Sequence, residues 1–203
     1  MIAIIDYGAG NLASVKKAFD YIGADSMVTS DPGHVLMADG VVLPGVGAVG
    51  FAMEALRSKG LDEVVREVAR KGTPLLGICL GMQMFFDESE ETFGSDENVK
   101  CLGLIPGVVR RFPESIGLKI PQIGWNMLEE VKSDVLSEGD FVYFVHSYYC
   151  DPADSEDVAA VTEYGIRYCC AAEHGNIIAC QFHPEKSGEA GLNILRKFVR
   201  RVG

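Results

Sequence analysis

Three short apolar runs, each followed by a segment of different character, constrain the fold of this chain most. They cover residues 1–6, 40–44 and 74–78 and contain almost no polar side chain. A strand that is apolar on both faces needs helices on both sides, which is typical of a parallel sheet. The sequence therefore predicts a doubly wound α/β fold.

The segments between and after these runs complete the predicted order of elements. Apolar residues recur at helical spacing in several of them, and a glycine follows the first helix at position 23, where a left-handed cap is expected. The predicted helices are 12–22, 52–70 with a break at Gly60, 82–86 and 188–202. A short strand is predicted at 26–29. Beyond residue 98 the runs become shorter and more antiparallel in character, at 107–112, 141–145, 159–162 and 177–182.

Length and charge limit the classes of function. The 203 residues, 48% of them hydrophobic, suit one domain over residues 1–203. The 18 Lys and Arg against 29 Asp and Glu give a net charge of −11, which opposes binding to nucleic acid or to anionic membranes. Neither a membrane-spanning stretch nor a targeting segment is recognisable, so a cytoplasmic protein is expected.

Acidic residues and cysteines have simple expected roles outside the motifs below. Two acidic clusters are expected to form solvated loops, and they comprise Asp87, Glu88, Glu90, Glu91, Asp96 and Glu97, then Asp151, Asp154, Glu156 and Asp157. The six cysteines lack the paired spacing of metal ligands, and a chain of this length needs no disulfides to fold. Free thiols are therefore expected, with no metal site.

One cysteine stands apart from the other five. Cys79 lies between Gly77 and Gly81, where a buried strand is predicted to turn into a helix. Such a turn lifts the central side chain clear of the sheet, as in a nucleophile elbow, and leaves the Leu80 amide free to bind an oxyanion. The alternative is an ordinary buried cysteine acting as a small apolar residue.

A nucleophilic cysteine needs a base, and His183 is the best of four histidines. It follows the predicted strand at 177–182, and Glu185 lies two residues further on, close enough to fix the tautomer of the imidazole. The alternative is a surface histidine beside an exposed acid. His34 and His174 are expected in exposed loops, while His146 is either a ligand contact or a hydrogen-bonded structural residue.

Two glycine-rich turns are candidate binding sites, one for an oxyanion and one for a nucleotide. Pro44-Gly45-Val46-Gly47 follows a predicted strand, and its backbone N–H groups are suited to the second half of an oxyanion hole, although a plain turn has the same pattern. Gly8-Ala9-Gly10 lacks the third glycine of a dinucleotide motif and the lysine of a P-loop, so nucleotide binding is not supported.

The motifs together resemble those of a known family. PGVG (44–47), GICLGMQ (77–83) and FHPE (182–185), in that order, are similar to those of the class I, or triad-type, glutamine amidotransferases. DYGAGN (6–11), KIPQIGWN (119–126), YFVHSYY (143–149) and HPEKS (183–187) resemble the glutaminase subunits of imidazole glycerol phosphate synthase. The resemblance spans nearly the whole chain and implies a flavodoxin-like mixed sheet.

The resemblance also implies roles for individual residues. Cys79, His183 and Glu185 would form a catalytic triad that hydrolyses glutamine to glutamate and ammonia through a thioester. The amides of Val46 and Leu80 would bind the oxyanion, and a peptide flip at Val46 would switch the site on. The implied glutamine contacts are Gly47, Gln83, Ser147 and Tyr148. One departure is Ala48-Val49-Gly50-Phe51, which has an aromatic residue where a polar one is usual.

A partner subunit is implied as well, because the chain has no room for a synthase domain. The resemblance implies a heterodimer with a cyclase subunit, a (β/α)8 barrel that uses the ammonia in histidine biosynthesis, with no cofactor on this chain. The residues implied to face it are Asn11, Trp125, Tyr143 and Lys186. The two aromatics fit a core position equally well, Asn11 a helix cap and Lys186 a solvated charge.

Three other functions are compatible with parts of the pattern. Another class I glutaminase, of the anthranilate synthase or pyridoxal synthase type, leaves KIPQIGWN and YFVHSYY unexplained. A cysteine peptidase or chaperone of the related superfamily leaves PGVG and Gln83 unexplained. A non-catalytic regulatory subunit is expected to lack a triad residue, and all three are present here.

Overall fold

The structure is a computed structural model that describes residues 1–92 and 97–203. A row of parallel strands forms its centre, in the order β2-β1-β3-β4-β13. These strands are β1 (Ile2–Ile5), β2 (Ser26–Thr29), β3 (Gly40–Gly45), β4 (Leu75–Cys79) and β13 (Ile177–Cys180). The helices are α1 (Leu12–Tyr21), α2 (Pro32–Leu36), α3 (Val49–Ser58), α4 (Leu61–Arg70), α5 (Leu80–Phe85) and α6 (Gly188–Val202).

Successive residues of the central strands pack into two separate core layers. In β1, Ile2 and Ile4 face the layer that contains buried residues of α1 and α6, whereas Ala3 and Ile5 face the layer that contains those of α3 and α4. Every residue of β1, β3, β4 and β13 is buried. The predicted doubly wound α/β fold is therefore confirmed, and the apolar runs are strands covered on both faces.

The second half of the chain extends this sheet with mostly antiparallel strands. Beyond β13 the order continues β12-β10-β7-β5-β6, β11 pairs with β12, and β8 and β9 form a separate antiparallel pair. Their bounds are β5 (Glu88–Ser89), β6 (Val99–Lys100), β7 (Gly107–Arg111), β8 (Gln122–Met127), β9 (Phe141–His146), β10 (Tyr148–Pro152), β11 (Val158–Glu163) and β12 (Arg167–His174). No strand was predicted at β12, whose Cys and Ala residues have modest strand propensity and are held between β11 and β13.

Two helices begin earlier than the sequence predicts. The segment 52–70 is two helices separated by Gly60, which has a φ of 66°, and the first starts at Val49. The N–H of Val49 donates to the Glu91 carboxylate at 2.7 Å, so the cap comes from a residue 42 positions away. Likewise α5 starts at Leu80 rather than 82, directly after Cys79.

The expectation of solvated acidic loops is wrong at four positions, of which Glu88 lies in β5 and Asp151 in β10. Asp157 is buried and accepts from His174 Nδ1 at 2.8 Å, and Glu91 is half-buried beside a cavity. Asp96 lies outside the described residues. His34 and His174 are exposed as expected, but they lie in α2 and at the end of β12 rather than in loops.

The predicted state of the cysteines is confirmed. All six thiols are free, and all are buried. In the part of the chain that the structure describes, no helix is both long and apolar enough to cross a membrane.

Candidate active site

Strand register brings the separate motifs to one edge of the sheet. In the parallel pair β3 and β4, Gly45 lies opposite Cys79, and in the pair β13 and β4, Cys180 lies opposite Ile78. The residues that follow these three strands therefore leave the sheet at the same carboxyl edge. This is where ligands bind in open α/β sheets.

Cys79 has the strained backbone of a nucleophile elbow. Its φ of 55° and ψ of −107° lie in a region that costs a non-glycine residue about 1–3 kcal/mol. Gly77 and Gly81 do not have positive φ, so the elbow needs them for a reason other than backbone conformation. A Cβ on Gly81 would lie 1.8 Å from the Leu43 carbonyl oxygen, and one on Gly77 would lie 2.5 Å from the Phe85 ring. The two glycines give α5 the space to pack against β3 and β4.

A cavity of about 280 Å³ opens beside this elbow. Every residue predicted for the oxyanion hole and for glutamine contact lines it, together with Cys79 and His183; these are Val46, Gly47, Cys79, Leu80, Gln83, Ser147, Tyr148 and His183. Glu185 does not line the cavity and instead contacts the far side of the His183 ring.

The imidazole of His183 is held in a buried and charged environment. Its Nδ1 lies 2.8 Å from Oε1 of Glu185, and the two side chains are 2% and 1% exposed. Burial lowers the pKa of His183, but interactions with Cys79 and then with Glu185 outweigh it and raise the pKa to about 9. The backbone N–H of His183 donates to the Tyr143 carbonyl at 2.9 Å, which ties the main chain at His183 to β9.

His146 is a buried neutral residue. Burial lowers its pKa to about 4, and its ring nitrogens contact the Tyr148 carbonyl oxygen at 2.7 Å and the Tyr168 hydroxyl at 3.1 Å. This arrangement agrees with the hydrogen-bonded structural histidine of the two alternatives, although His146 also lines the cavity.

The four residues implied to face a partner are at least partly accessible. Trp125 is 52% exposed and its ring packs against that of Tyr143, with centroids 5.9 Å apart. Lys186 is exposed, and Asn11 precedes α1 without a capping hydrogen bond from its side chain. Trp125 is therefore not a core residue, and the side chain of Asn11 does not cap α1.

The family model for glutamine amidotransferase class-I matches residues 3–202. This chain belongs to the class I glutamine amidotransferase family. Within this family, the chain is similar over its full length to subunits of one synthase. The imidazole glycerol phosphate synthase subunit HisH of Dehalococcoides mccartyi (strain CBDB1) is 47% identical, covering 98% of this chain and 97% of the relative. The HisH subunits of Chlorobaculum tepidum (51% identical, covering 98% and 99%) and Methanothermobacter thermautotrophicus (52%, covering 100% and 99%) are similar to it as well.

Solved structures agree on the fold of this amidotransferase. A glutamine amidotransferase crystal structure superposes with a TM-score of 0.76 at 19% identity over 100% of both chains. PurLQS from Thermotoga maritima gives a TM-score of 0.72 at 16% identity over 100% of this chain and 98% of that chain. The expected class I amidotransferase fold is therefore confirmed.

Sequence reasoning missed three residues that line the cavity of the amidotransferase, namely Glu91, Pro121 and Val145, and Glu91 is the charged one among them. Its carboxylate lines the cavity, and burial raises the pKa of Glu91 although the hydrogen bond from Val49 opposes this. Its position in an acidic run concealed it, since nothing local distinguishes it from Glu90. Within residues 1–92 and 97–203, no cluster of His, Cys, Asp and Glu is arranged to hold a metal ion.

Proposed function

We propose that this chain is the glutaminase subunit of an imidazole glycerol phosphate synthase and hydrolyses L-glutamine through a thioester on Cys79. The observation that carries the proposal is the strained Cys79 facing a cavity that His183 also lines, with Glu185 behind the imidazole. The HisH relatives, similar over the full length, support the assignment to this synthase. Residues 1–203 would form one glutaminase domain.

The first half of the reaction makes the thioester and releases ammonia. The Cys79 sulfur attacks the side-chain amide carbon of glutamine, and the carbonyl electrons move to the oxygen, which the N–H groups of Leu80 and Val46 stabilise. His183 then donates a proton to the amide nitrogen, the C–N bond breaks and ammonia leaves. A pKa of about 9 keeps His183 protonated at neutral pH, as this step requires.

The second half hydrolyses the thioester. Deprotonated His183 takes a proton from a water molecule, whose oxygen attacks the thioester carbon. The C–S bond breaks, glutamate leaves and the Cys79 sulfur regains its charge. Glu185 accepts a hydrogen bond from Nδ1–H throughout, so that Nε2 is the nitrogen that exchanges protons.

The walls of the cavity suit a zwitterionic amino acid. Glu91 supplies the carboxylate that pairs with an α-ammonium group, while Gly47, Gln83, Ser147 and Tyr148 supply backbone and side-chain polar groups.

The test is glutamate release by the chain mixed with a cyclase subunit and the phosphorylated substrate of that cyclase. Cys79→Ala is expected to reduce release to background. Cys101→Ala, which removes a buried thiol that does not line the cavity, is expected to keep wild-type release. Glutamate release by Cys79→Ala at the wild-type rate would contradict the proposal.

The partner would be a (β/α)8-barrel cyclase subunit in a heterodimer, docked on the outer face of the β8–β9 pair. In this pair Trp125 lies opposite Tyr143 and Met127 opposite Phe141. Trp125, Met127 and Phe141 are exposed, and Tyr143 is half-buried. Such a patch on a small protein is typical of an interaction site. Lys186 and Asn11 lie at the same carboxyl edge as His183.

A cytoplasmic location of the protein remains a prediction.

Docking on this face can be measured directly. Trp125→Ala is expected to raise the Kd for the cyclase subunit at least tenfold, because exposed tryptophans at interface centres contribute most of the binding energy. Tyr21→Ala is the matched control: this aromatic is also exposed but lies at the opposite end of α1 from the carboxyl edge. Equal effects of the two variants on Kd would place the docking surface elsewhere.

A further inference from the structure

Gln181 is a buried polar residue to which nothing above assigns a task. It lies between β13 and His183 and is completely removed from solvent. Two of its hydrogen bonds are side chain to side chain: Oε1 accepts from Gln83 Nε2 at 3.0 Å, and Nε2 donates to the Cys79 sulfur at 3.7 Å. A fully buried amide in contact with the reacting atom is unusual enough to need a reason.

The hydrogen-bond network fixes which end of the Gln181 amide faces the sulfur. Gln83 Nε2 also donates to the backbone carbonyl of Tyr148 at 3.2 Å, and a carbonyl oxygen only accepts. The Gln83 atom that contacts the Tyr148 carbonyl is therefore the NH2 group. This NH2 group also contacts the Gln181 side chain, so the Gln181 atom on that side must be the acceptor Oε1. The Gln181 NH2 group consequently points at Cys79.

The surroundings of the sulfur distinguish its two protonation states. The Val145 carbonyl oxygen, 4.0 Å from Sγ, accepts a hydrogen bond from a thiol. The N–H of Gln181 donates to a thiolate, and a hydrogen bond to a charged acceptor is stronger than one to a neutral acceptor. Gln181 therefore favours the charged, nucleophilic form.

We propose that Gln181 is a further catalytic residue, whose side-chain N–H stabilises the Cys79 thiolate and holds it at the mouth of the cavity. This inference rests on the proposed function, in which Cys79 is the nucleophile. As the sulfur attacks the substrate, its negative charge passes to the substrate oxygen, and the same donor receives the charge again when the thioester is hydrolysed. Gln83 acts as the support that keeps the Gln181 amide in this orientation.

The experiment measures the reactivity of Cys79 without glutamine or partner. The full chain is alkylated with iodoacetamide from pH 5 to 10, and the rate at Cys79 is read by peptide mass spectrometry. Gln181→Met, similar in size but without the donor, is expected to raise the pH midpoint of alkylation by about one unit. Gln181→Glu, which places a carboxylate at the sulfur, is expected to raise it further. A pH midpoint that rises from wild type to Gln181→Met to Gln181→Glu is a result that a loss of packing alone would not produce.

Gln122→Met is the matched control. Gln122 is as buried as Gln181 and also hydrogen-bonded, to Tyr168 and Asn126, but it does not contact Cys79. The pH midpoint of Cys79 alkylation in Gln122→Met is expected to equal that of the wild type. Should Gln181→Met not fold, Gln83→Met replaces it, because loss of this support lets the Gln181 amide rotate and raises the midpoint too.

The outcomes separate the inference from the proposed function. Equal midpoints in wild type, Gln181→Met and Gln181→Glu would overturn the role of Gln181 while leaving Cys79 as the nucleophile. A wild-type Cys79 that does not react anywhere between pH 5 and 10 would instead contradict the proposed function, and the inference with it.

Discussion

Nδ1 of His183 lies 2.8 Å from Oε1 of Glu185, with both side chains almost completely removed from solvent. A carboxylate only accepts, so the Nδ1 position carries the proton and Nε2 faces the cavity. Among the residues that the structure describes, Nε2 has no hydrogen-bond partner of its own. The pair thus presents one proton-exchanging nitrogen in a fixed orientation, next to the elbow that carries Cys79.

The first prediction concerns the titration of this imidazole. Interaction with Cys79 is the largest contribution that raises the pKa of His183, so Cys79→Ala is expected to lower it clearly from about 9. The measurement is the imidazole proton shift in NMR as a function of pH, assigned with His183→Asn. The resonance of His146 serves as an internal control, since its pKa of about 4 comes from burial first. A His183 pKa unchanged by Cys79→Ala would contradict the coupling.

The same pKa makes stability depend on pH. The folded-state pKa of about 9 exceeds the unfolded value of about 6.5, so the protonated His183 stabilises the fold below pH 6.5. This contribution is lost as the pH rises through 9. The free energy of unfolding, from urea titrations at pH 6.5 to 9.5, is therefore expected to fall more in the wild type than in Glu185→Gln, which lacks the charge that Glu185 contributes. Parallel curves for the two proteins would refute this linkage.

The sequence predicts the parts of the site that strand ends and glycines define. Cys79, His183 and the 44–47 turn each follow an apolar run, and parallel register necessarily brings such ends to one edge. Glu91 and Gln181 were not assigned because their contacts, to Val49 and to Cys79, join residues 42 and 102 positions apart. No local pattern encodes such contacts. The start of α3 was misplaced for the same reason, since its cap is Glu91.

The third prediction tests the close packing behind the elbow. Gly81→Ala is expected to lower the free energy of unfolding by more than about 3 kcal/mol, because its Cβ would lie 1.8 Å from the Leu43 carbonyl oxygen. Gly60→Ala is the control, with a φ of 66° but no atom of the described residues within 4 Å of the new Cβ. It is expected to cost only about 1–2 kcal/mol. Chemical denaturation measures both, and equal losses would show that the close approach to Leu43 does not limit the residue at position 81.

The fourth prediction concerns substrate binding. Glu91→Gln keeps an acceptor for the Val49 N–H but removes the negative charge from the cavity. A lost ion pair with an α-ammonium weakens binding of substrate and transition state alike, so KM for glutamine is expected to rise at least tenfold with kcat little changed. Glu88→Gln is the control, since Glu88 pairs with Lys100 and does not line the cavity. A loss confined to kcat would place Glu91 in the chemical step instead.

The last prediction tests Val46 as the switch of the oxyanion hole. Gly45 is the final residue of β3 and lies opposite Cys79, so the Gly45–Val46 peptide is placed to point its N–H toward the substrate oxygen or away from it. Val46→Pro deletes this donor, and turnover in the presence of the cyclase subunit and its substrate is expected to fall by about 10²–10³. Val46→Ala keeps the N–H and is expected to retain stimulation. The extended Gly45 tolerates a following proline, and thermal unfolding checks that both variants fold. Stimulation of Val46→Pro equal to that of Val46→Ala would exclude the Val46 amide as an oxyanion donor and leave Leu80 to bind the oxygen.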